Sequence, residues 1–190
     1  MGEGAGVCDP WPPPPKTSWG LELGVGSGAV VVALARELSQ VGWVAVDISA
    51  GALEVARGNA RRHGVAERVS FMRGNLLSGF KPGPWFAMLV ANLPYVSEEE
   101  WEALPKEIRD YEPKEALLGG ADGLALLRPL AQEAHHYLKP GGWLALEVGL
   151  GQAETVQQIL RDTGAYEQLE IIRDYGGIER VVRARTESGN

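Results

Sequence analysis

Cysteine is almost missing: Cys8 is the only one in 190 residues. A single thiol excludes an internal disulfide and any metal site built from several cysteines. Histidine is scarce too, with only His63, His135 and His136. The last two are adjacent on a helical stretch, where neighbouring side chains diverge, and no carboxylate stands at ligand spacing. No metal is therefore expected. His63 precedes Gly64 and reads as a favourable charge at a helix C-terminus. Basic residues are outnumbered, 18 Lys and Arg against 25 Asp and Glu, for a net charge of −7. Such a surface does not attract a phosphate backbone unaided, so nucleic acid is a disfavoured partner. No apolar run approaches the roughly 20 residues that span a bilayer. The N-terminus has no basic-then-apolar signal pattern. A cytoplasmic protein without a membrane partner is the simplest expectation, and a monomer is expected.

What is abundant points to one packed domain. Hydrophobic residues make up 45% of the chain, enough for a sizeable core. Residues 1–17 are rich in Gly and Pro and read as a disordered lead. Residues 18–185 read as one catalytic domain, and 186–190 as a disordered tail. Between them strands alternate with helices. "WGLELG", "GWVAVDIS", "RVSFMRGN", "WFAMLVAN" and "GWLALEVG" are strand-like. "SGAVVVALARELSQ", "AGALEVARGNARRHG" and "QAETVQQILRDTG" are helical. "SEEEWEALPKEI" predicts a broken helix, and "DGLALLRPLAQEAHHYL" a long one stopped by Lys139-Pro140-Gly141-Gly142. "YEQLEIIRDYGGIERVVRAR" predicts two antiparallel strands joined at a Gly-Gly turn. Nearly continuous apolar strands imply a parallel sheet covered on both faces. An antiparallel last strand is the departure made by Rossmann-like methyltransferases. The fold class expected is α/β, a Rossmann-like class I methyltransferase with a seven-stranded, mostly parallel sheet.

Trp19, Trp43, Trp85 and Trp143 lie near strand starts, where packing is their expected task. Trp101 is a candidate for substrate contact.

The first strand runs into "LELGVGSGAV". Gly24, Gly26 and Gly28 permit a tight turn and close backbone approach to a ligand at a helix start. The spacing is G-x-G-x-G, whereas the dinucleotide fingerprint is G-x-G-x-x-G. Gly24, Gly26 and Ala29 also fit the looser form, so the loop alone leaves NAD and S-adenosylmethionine open. Glu22 favours the second. A carboxylate there repels a pyrophosphate and attracts an ammonium or sulfonium. Asp47 closes the second strand, where a carboxylate can accept from both ribose hydroxyls. It could instead cap the next helix, although Ser49 can do that itself. Asn75 follows the third strand and is a candidate for the adenine edge, or simply a loop residue bonding its own backbone. Ile48 and Leu76, beside Asp47 and Asn75, join the cofactor-binding set.

The fourth strand ends in Asn92-Leu93-Pro94-Tyr95. A turn would use such residues. So would a rigid polar clamp at the strand's carboxyl end, the edge that carries sites in open α/β sheets. Asn92 and a nearby backbone carbonyl can accept hydrogens from a planar amide or amino nitrogen. Pro94 stiffens the loop, and the Tyr95 ring packs on the planar group. Positioning then supplies much of the rate, and no strong base is needed. Asn92, Pro94 and Tyr95 are the catalytic candidates, with Asn92 also facing the cofactor.

The segments "ELGVGSGA", "VAVDIS", "NLPYV", "EIRDYEPKEALLGGADGL" and "LKPGGWLALEVG" together resemble the catalytic domain of the HemK/PrmC family, the peptide chain release factor glutamine N5-methyltransferases. The resemblance runs from about residue 19 to 184. It implies an S-adenosylmethionine-dependent protein methyltransferase whose partner is a release factor and whose target is the glutamine of a Gly-Gly-Gln loop. Glu22, Gly24 and Gly26 would line the methionine end of the cofactor. Asp47 would hold the ribose and Asn75 would lie by the adenine. Asn92 and Tyr95 would hold the glutamine amide. Arg109-Asp110-Tyr111-Glu112-Pro113 would form a wall beyond the clamp.

Three departures accompany the resemblance. Leu93 stands where the family has proline, a pattern similar to rRNA adenine dimethyltransferases. The family's helical N-terminal domain is not expected here. "CDPWPPPPKTSWG" does not match the family's motif before the first strand. The alternatives are an adenine-N6 methyltransferase acting on DNA or RNA, and a non-catalytic paralogue that binds the cofactor or a partner.

Overall fold

A computed structural model describes residues 18–111 and 113–189, leaving aside the side chains of 108, 110 and 111. The Gly/Pro lead, Cys8 and Glu112 lie outside the described residues. The sheet has seven strands. The chain divides into two compact units after Gly79.

The first unit holds β1 (Ser18–Leu23), α1 (Ala29–Glu37), β2 (Val41–Asp47), α2 (Ala50–Arg62) and β3 (Val69–Arg73). β1 pairs with β2, and β2 with β3, all parallel. Two tryptophans fix the register. Trp19 faces Gly42 and Gly20 faces Trp43 across the β1–β2 pair. A Cβ on Gly20 would sit 2.5–2.8 Å from the Trp43 ring. Each indole thus lies over a strand position that carries no side chain, and Trp43 is fully buried. α2 begins at Ser49, whose Oγ accepts from the Ala52 amide at 3.2 Å, and ends at His63, as read from the sequence.

The second unit holds β4 (Phe86–Ala91), α3 (Glu98–Ala103), α4 (Lys106–Tyr111), α5 (Lys114–Leu117), α6 (Leu127–Glu133), β5 (Leu138–Glu147), α7 (Ala153–Asp162), β6 (Tyr166–Arg173) and β7 (Glu179–Thr186). β4 and β5 are parallel. β7 runs antiparallel to both β5 and β6. The helix expected to break does so between α3 and α4, at Pro105. α3 opens with a capping box between Ser97 and Glu100, a signal carried by "SEEE". α7 buries Ala153, Val156 and Leu160, the stripe of a surface helix.

Two expectations are corrected here. The long helix across residues 122–138 is only α6 followed by a tight 3-10 turn, Ala134–Tyr137. Gly123 has φ +73, which a right-handed helix cannot use, and the Leu124 amide bonds the Asp122 carboxylate at 3.0 Å instead. Lys139-Pro140-Gly141-Gly142, expected as the helix stop, instead lies in the first half of β5. The Gly142 amide there donates to Thr186 Oγ1 at 2.9 Å. At the C-terminus the backbone bonding runs past residue 185: the Gly141 amide donates to the Glu187 carbonyl, and Ser188 bonds the Glu167 carboxylate. Among the described residues, no helix is long and apolar enough to cross a membrane.

The glycine–tryptophan pairing makes a contrast measurable by chemical denaturation. Gly20→Ala overpacks the Trp43 contact and lowers stability by about 1–3 kcal/mol. Gly58, on the exposed face of α2 with nothing near its missing Cβ, behaves oppositely: Gly58→Ala adds about 0.4–1 kcal/mol.

Candidate active site

In the first unit, the carboxyl ends of β1 and β2 gather the residues expected to hold the cofactor. The chain leaves β1 through Gly24, whose amide bonds the Val46 carbonyl at 2.9 Å. Asp47 ends β2 and grips the glycine loop. One carboxylate oxygen accepts from the Gly26 amide at 2.9 Å and the other from the Ser49 amide at 2.8 Å. A carboxylate has about four acceptor positions, so Asp47 retains capacity for two hydroxyls while holding the loop. It therefore orders the loop without exhausting its acceptors. Gly28 has a different task. A Cβ there would lie 2.9 Å from that of Ala56, so its bareness lets α1 approach α2.

Glu22 is the electrostatic anomaly of this unit. It is 2% exposed, and its Oε2 is buried with no hydrogen-bond partner. Burial pushes its pKa from 4.5 up to about 8; a hydrogen bond from the Val31 backbone opposes this, and the charge of Asp47 adds a smaller upward push. At neutral pH the carboxyl keeps its proton. A cation beside it would favour the charged form and supply the missing partner.

Asn75 is exposed and lies two residues beyond the end of β3, in a turn where the Ser78 amide bonds its carbonyl. Leu76 follows with φ +48, a left-handed conformation that strains a leucine. Ile48, 66% exposed, leaves an apolar side chain in the open next to Asp47.

In the second unit, Asn92 is exposed at the residue after β4, as expected from the sequence. Leu93 turns the other way and is 3% exposed, within the core. The Tyr95 hydroxyl donates to Glu147 Oε1 at 3.3 Å. Burial and the neighbouring Glu147 charge raise the Tyr95 pKa, and Arg180 partly offsets this. Beyond the ring lies an open cavity of about 270 Å³ lined by Tyr95, Val96, Glu100, Leu104, Gly149 and Leu150, among others.

The loop is held by the end of the segment "EIRDYEPKEALLGGADGL". The Val96 amide donates to the Leu117 carbonyl at 2.9 Å, and the Gly119 amide to the Val96 carbonyl at 2.8 Å. A Cβ on Gly119 would sit 2.6 Å from the Pro94 carbonyl oxygen, and one on Gly123 would collide with the Tyr95 carbonyl. "LLGGADGL" thus lies backbone against backbone with the proposed clamp. Asp122 carries an ion pair to Arg128 at 2.6 Å. Trp101 has the Lys114 ammonium 5.6 Å from its ring centroid, and it is not among the residues lining the cavity.

Glu147, Gln152 and Arg180 were not singled out by sequence reasoning. Glu147 sits inside "LEVG", where an acid in an apolar strand was the available signal. The ring centroids of His135 and His136 lie 3.8 Å apart rather than diverging, within the 3-10 turn Ala134–Tyr137.

Residues 21–111 match the family described as Methyltransferase domain. The chain is 44% identical over 167 residues to the release factor glutamine methyltransferase of Geobacter sulfurreducens, covering 87% of this chain and 57% of the relative. It is 44% identical over 162 residues to that of Gloeobacter violaceus, covering 85% and 56%. The chain is homologous to the release factor glutamine methyltransferases. It spans a little over half the length of these relatives. Among solved structures, a methyltransferase from Pyrococcus furiosus superposes with a TM-score of 0.65 at 18% identity, covering 90% of this chain and 75% of that one. That likeness shows the Rossmann-like methyltransferase fold.

The raised pKa of Glu22 has a direct consequence for the ligand-free protein. Below about 4.5 the carboxyl is neutral in both folded and unfolded chains. Between about 4.5 and 8 only the folded chain keeps the proton, so stability falls as pH rises through that window. Glu22→Gln removes this dependence. Its thermal midpoint should exceed that of the parent by a few degrees at about pH 8 and converge with it near pH 4.5.

Proposed function

We propose that this chain is an S-adenosylmethionine-dependent N-methyltransferase that acts on the side-chain amide of glutamine in the Gly-Gly-Gln loop of a peptide chain release factor. The observation that carries the reading is the homology at 44% identity over 167 residues, 87% of this chain. It acts, on this reading, as a cytoplasmic monomer.

The residues of the first unit fit the cofactor. Glu22 offers a buried oxygen without a partner to the ammonium of its methionine part. Asp47 keeps two acceptor positions for the ribose hydroxyls, Gly24 and Gly26 shape the loop around its methionine end, and Ile48, Asn75 and Leu76 supply the surroundings of the adenine. S-adenosylmethionine supplies a methyl group on a sulfonium: the amide nitrogen forms the new N–C bond, the C–S electron pair stays on sulfur, and one amide proton leaves to water.

The protein's part is to aim a poor nucleophile. Asn92 accepts from the amide NH₂, and the carbonyl of the loop stiffened by Pro94 accepts its second hydrogen. The nitrogen's remaining face is then fixed in direction. The Tyr95 ring packs against the planar amide, itself held by its bond to Glu147. No side chain need remove a proton beforehand, because the nitrogen becomes strongly acidic as the bond forms. The proline-to-leucine change at residue 93 leaves this arrangement alone, since the Leu93 side chain belongs to the core.

Labelled methyl transfer tests the reading against a release factor and, separately, a duplex oligonucleotide. Label should enter the release factor. Label entering only the oligonucleotide would replace this reading with adenine methylation, and label in neither would favour a non-catalytic protein. Asn92→Ala should lower kcat on the order of 100-fold through misplacement of the nucleophile. Its affinity for S-adenosylhomocysteine by calorimetry should change little, with thermal melts confirming that the variant is folded.

A further inference from the structure

We propose that Gln152 is a positioning residue, holding the clamp loop in its working shape through the main chain rather than by touching substrate. The inference rests on the reading above that Asn92 and its loop hold an amide. Gln152 immediately precedes α7, and its side chain makes three hydrogen bonds to three different segments. Its Oε1 accepts from the Gly149 amide at 2.8 Å. Its Nε2 donates to the Tyr95 carbonyl at 2.8 Å and to the Asp122 carbonyl at 3.4 Å.

The chemistry of these partners fixes the orientation of the amide. The Gly149 group that meets the side chain is an N–H donor, and those of Tyr95 and Asp122 are carbonyl acceptors. A primary amide presents both kinds from one planar group. A carboxylate of the same shape has no hydrogen for the two carbonyls, and an aliphatic side chain satisfies none of the three. Gly123 leaves the room: a Cβ at that position would collide with both the Tyr95 carbonyl and Gln152 Nε2.

The bond falls where the loop needs it. Asn92 is tied at one side to β4, and Val96 is tied at the other to Leu117 and Gly119. The Tyr95 carbonyl lies between these anchors, one peptide beyond that of Pro94. Gln152 reaches it from a helix whose next residues, Ala153 and Val156, are fully buried. A loop supported from a rigid element keeps its geometry better than a loop supported by itself. Losing the bond should therefore appear in turnover more than in binding.

The test uses the intact chain and two variants. Gln152→Leu removes all three bonds. Gln152→Glu keeps the size and the acceptor for Gly149 but sets a carboxylate oxygen against two carbonyls. Hydrogen exchange is followed at the Val96 amide, with the amides of β5 as reference. In both variants exchange at Val96 should accelerate about tenfold or more while β5 is unchanged. With release factor as substrate, kcat should fall about 10- to 100-fold, with KM for the release factor within about threefold and S-adenosylhomocysteine affinity unaltered. Unchanged exchange at Val96 in both variants overturns the proposal. Acceleration spread equally through β5 overturns it too, since that marks general destabilisation. Loop-confined acceleration with undiminished kcat likewise overturns it. If the parent chain methylates no release factor, the substrate reading falls, and the exchange measurement alone still decides whether Gln152 holds the loop.

Discussion

Two stretches of main chain lie closer together in the second unit than any side chain would permit. The loop from Asn92 to Val96 runs against residues 117–123, with Gly119 and Gly123 at the points of closest approach. Much of the unit follows from this contact. The stretch before α6 stays non-helical, so α6 starts only at Leu127. Asp122 turns back on the Leu124 amide. The amides and carbonyls of the loop are satisfied by the braces around it, and burying them unpaired would be costly. The result is a short irregular segment held with the definition of regular structure.

The first unit solves a different problem. Its glycine loop is ordered by Asp47, which ties Gly26 and Ser49 with one carboxylate. Beside it, Glu22 is kept in a place where its charge is unfavourable until a cation arrives. The buried carboxyl costs the ligand-free protein stability as pH rises, and a cation beside it would gain a partner. A site that carries such a perturbed group is a functional candidate on physical grounds alone.

Most of this was legible in the sequence for identifiable reasons. Strands β1, β2 and β4 are largely buried apolar runs, and residues such as Asp47 and Asn92 stand out because they end those runs. The antiparallel hairpin of β6 and β7 was marked by Gly176-Gly177. What escaped detection was set by tertiary contact. The sequence from Asp122 to Leu138 has a helical period, but the glycines within and before it answer to the clamp loop, and periodicity does not record that. Lys139-Pro140-Gly141-Gly142 has the composition of a helix stop yet lies within β5, where the Gly142 amide donates to Thr186 Oγ1. Gln152 looked like an ordinary polar residue at a helix start, because its three partners are distant segments or main-chain atoms. Leu93 stood out as a departure from the family pattern, and only its burial shows that the change faces the core.

The central claim is that the second unit aims the side-chain amide of a glutamine. It is tested most directly by locating the transferred methyl group with fragmentation mass spectrometry on a release factor incubated with this chain and S-adenosylmethionine. The account predicts one added methyl, on the side-chain nitrogen of the glutamine in the Gly-Gly-Gln loop. A methyl on a lysine amine or a carboxylate oxygen, or a release factor left unmodified, would contradict it.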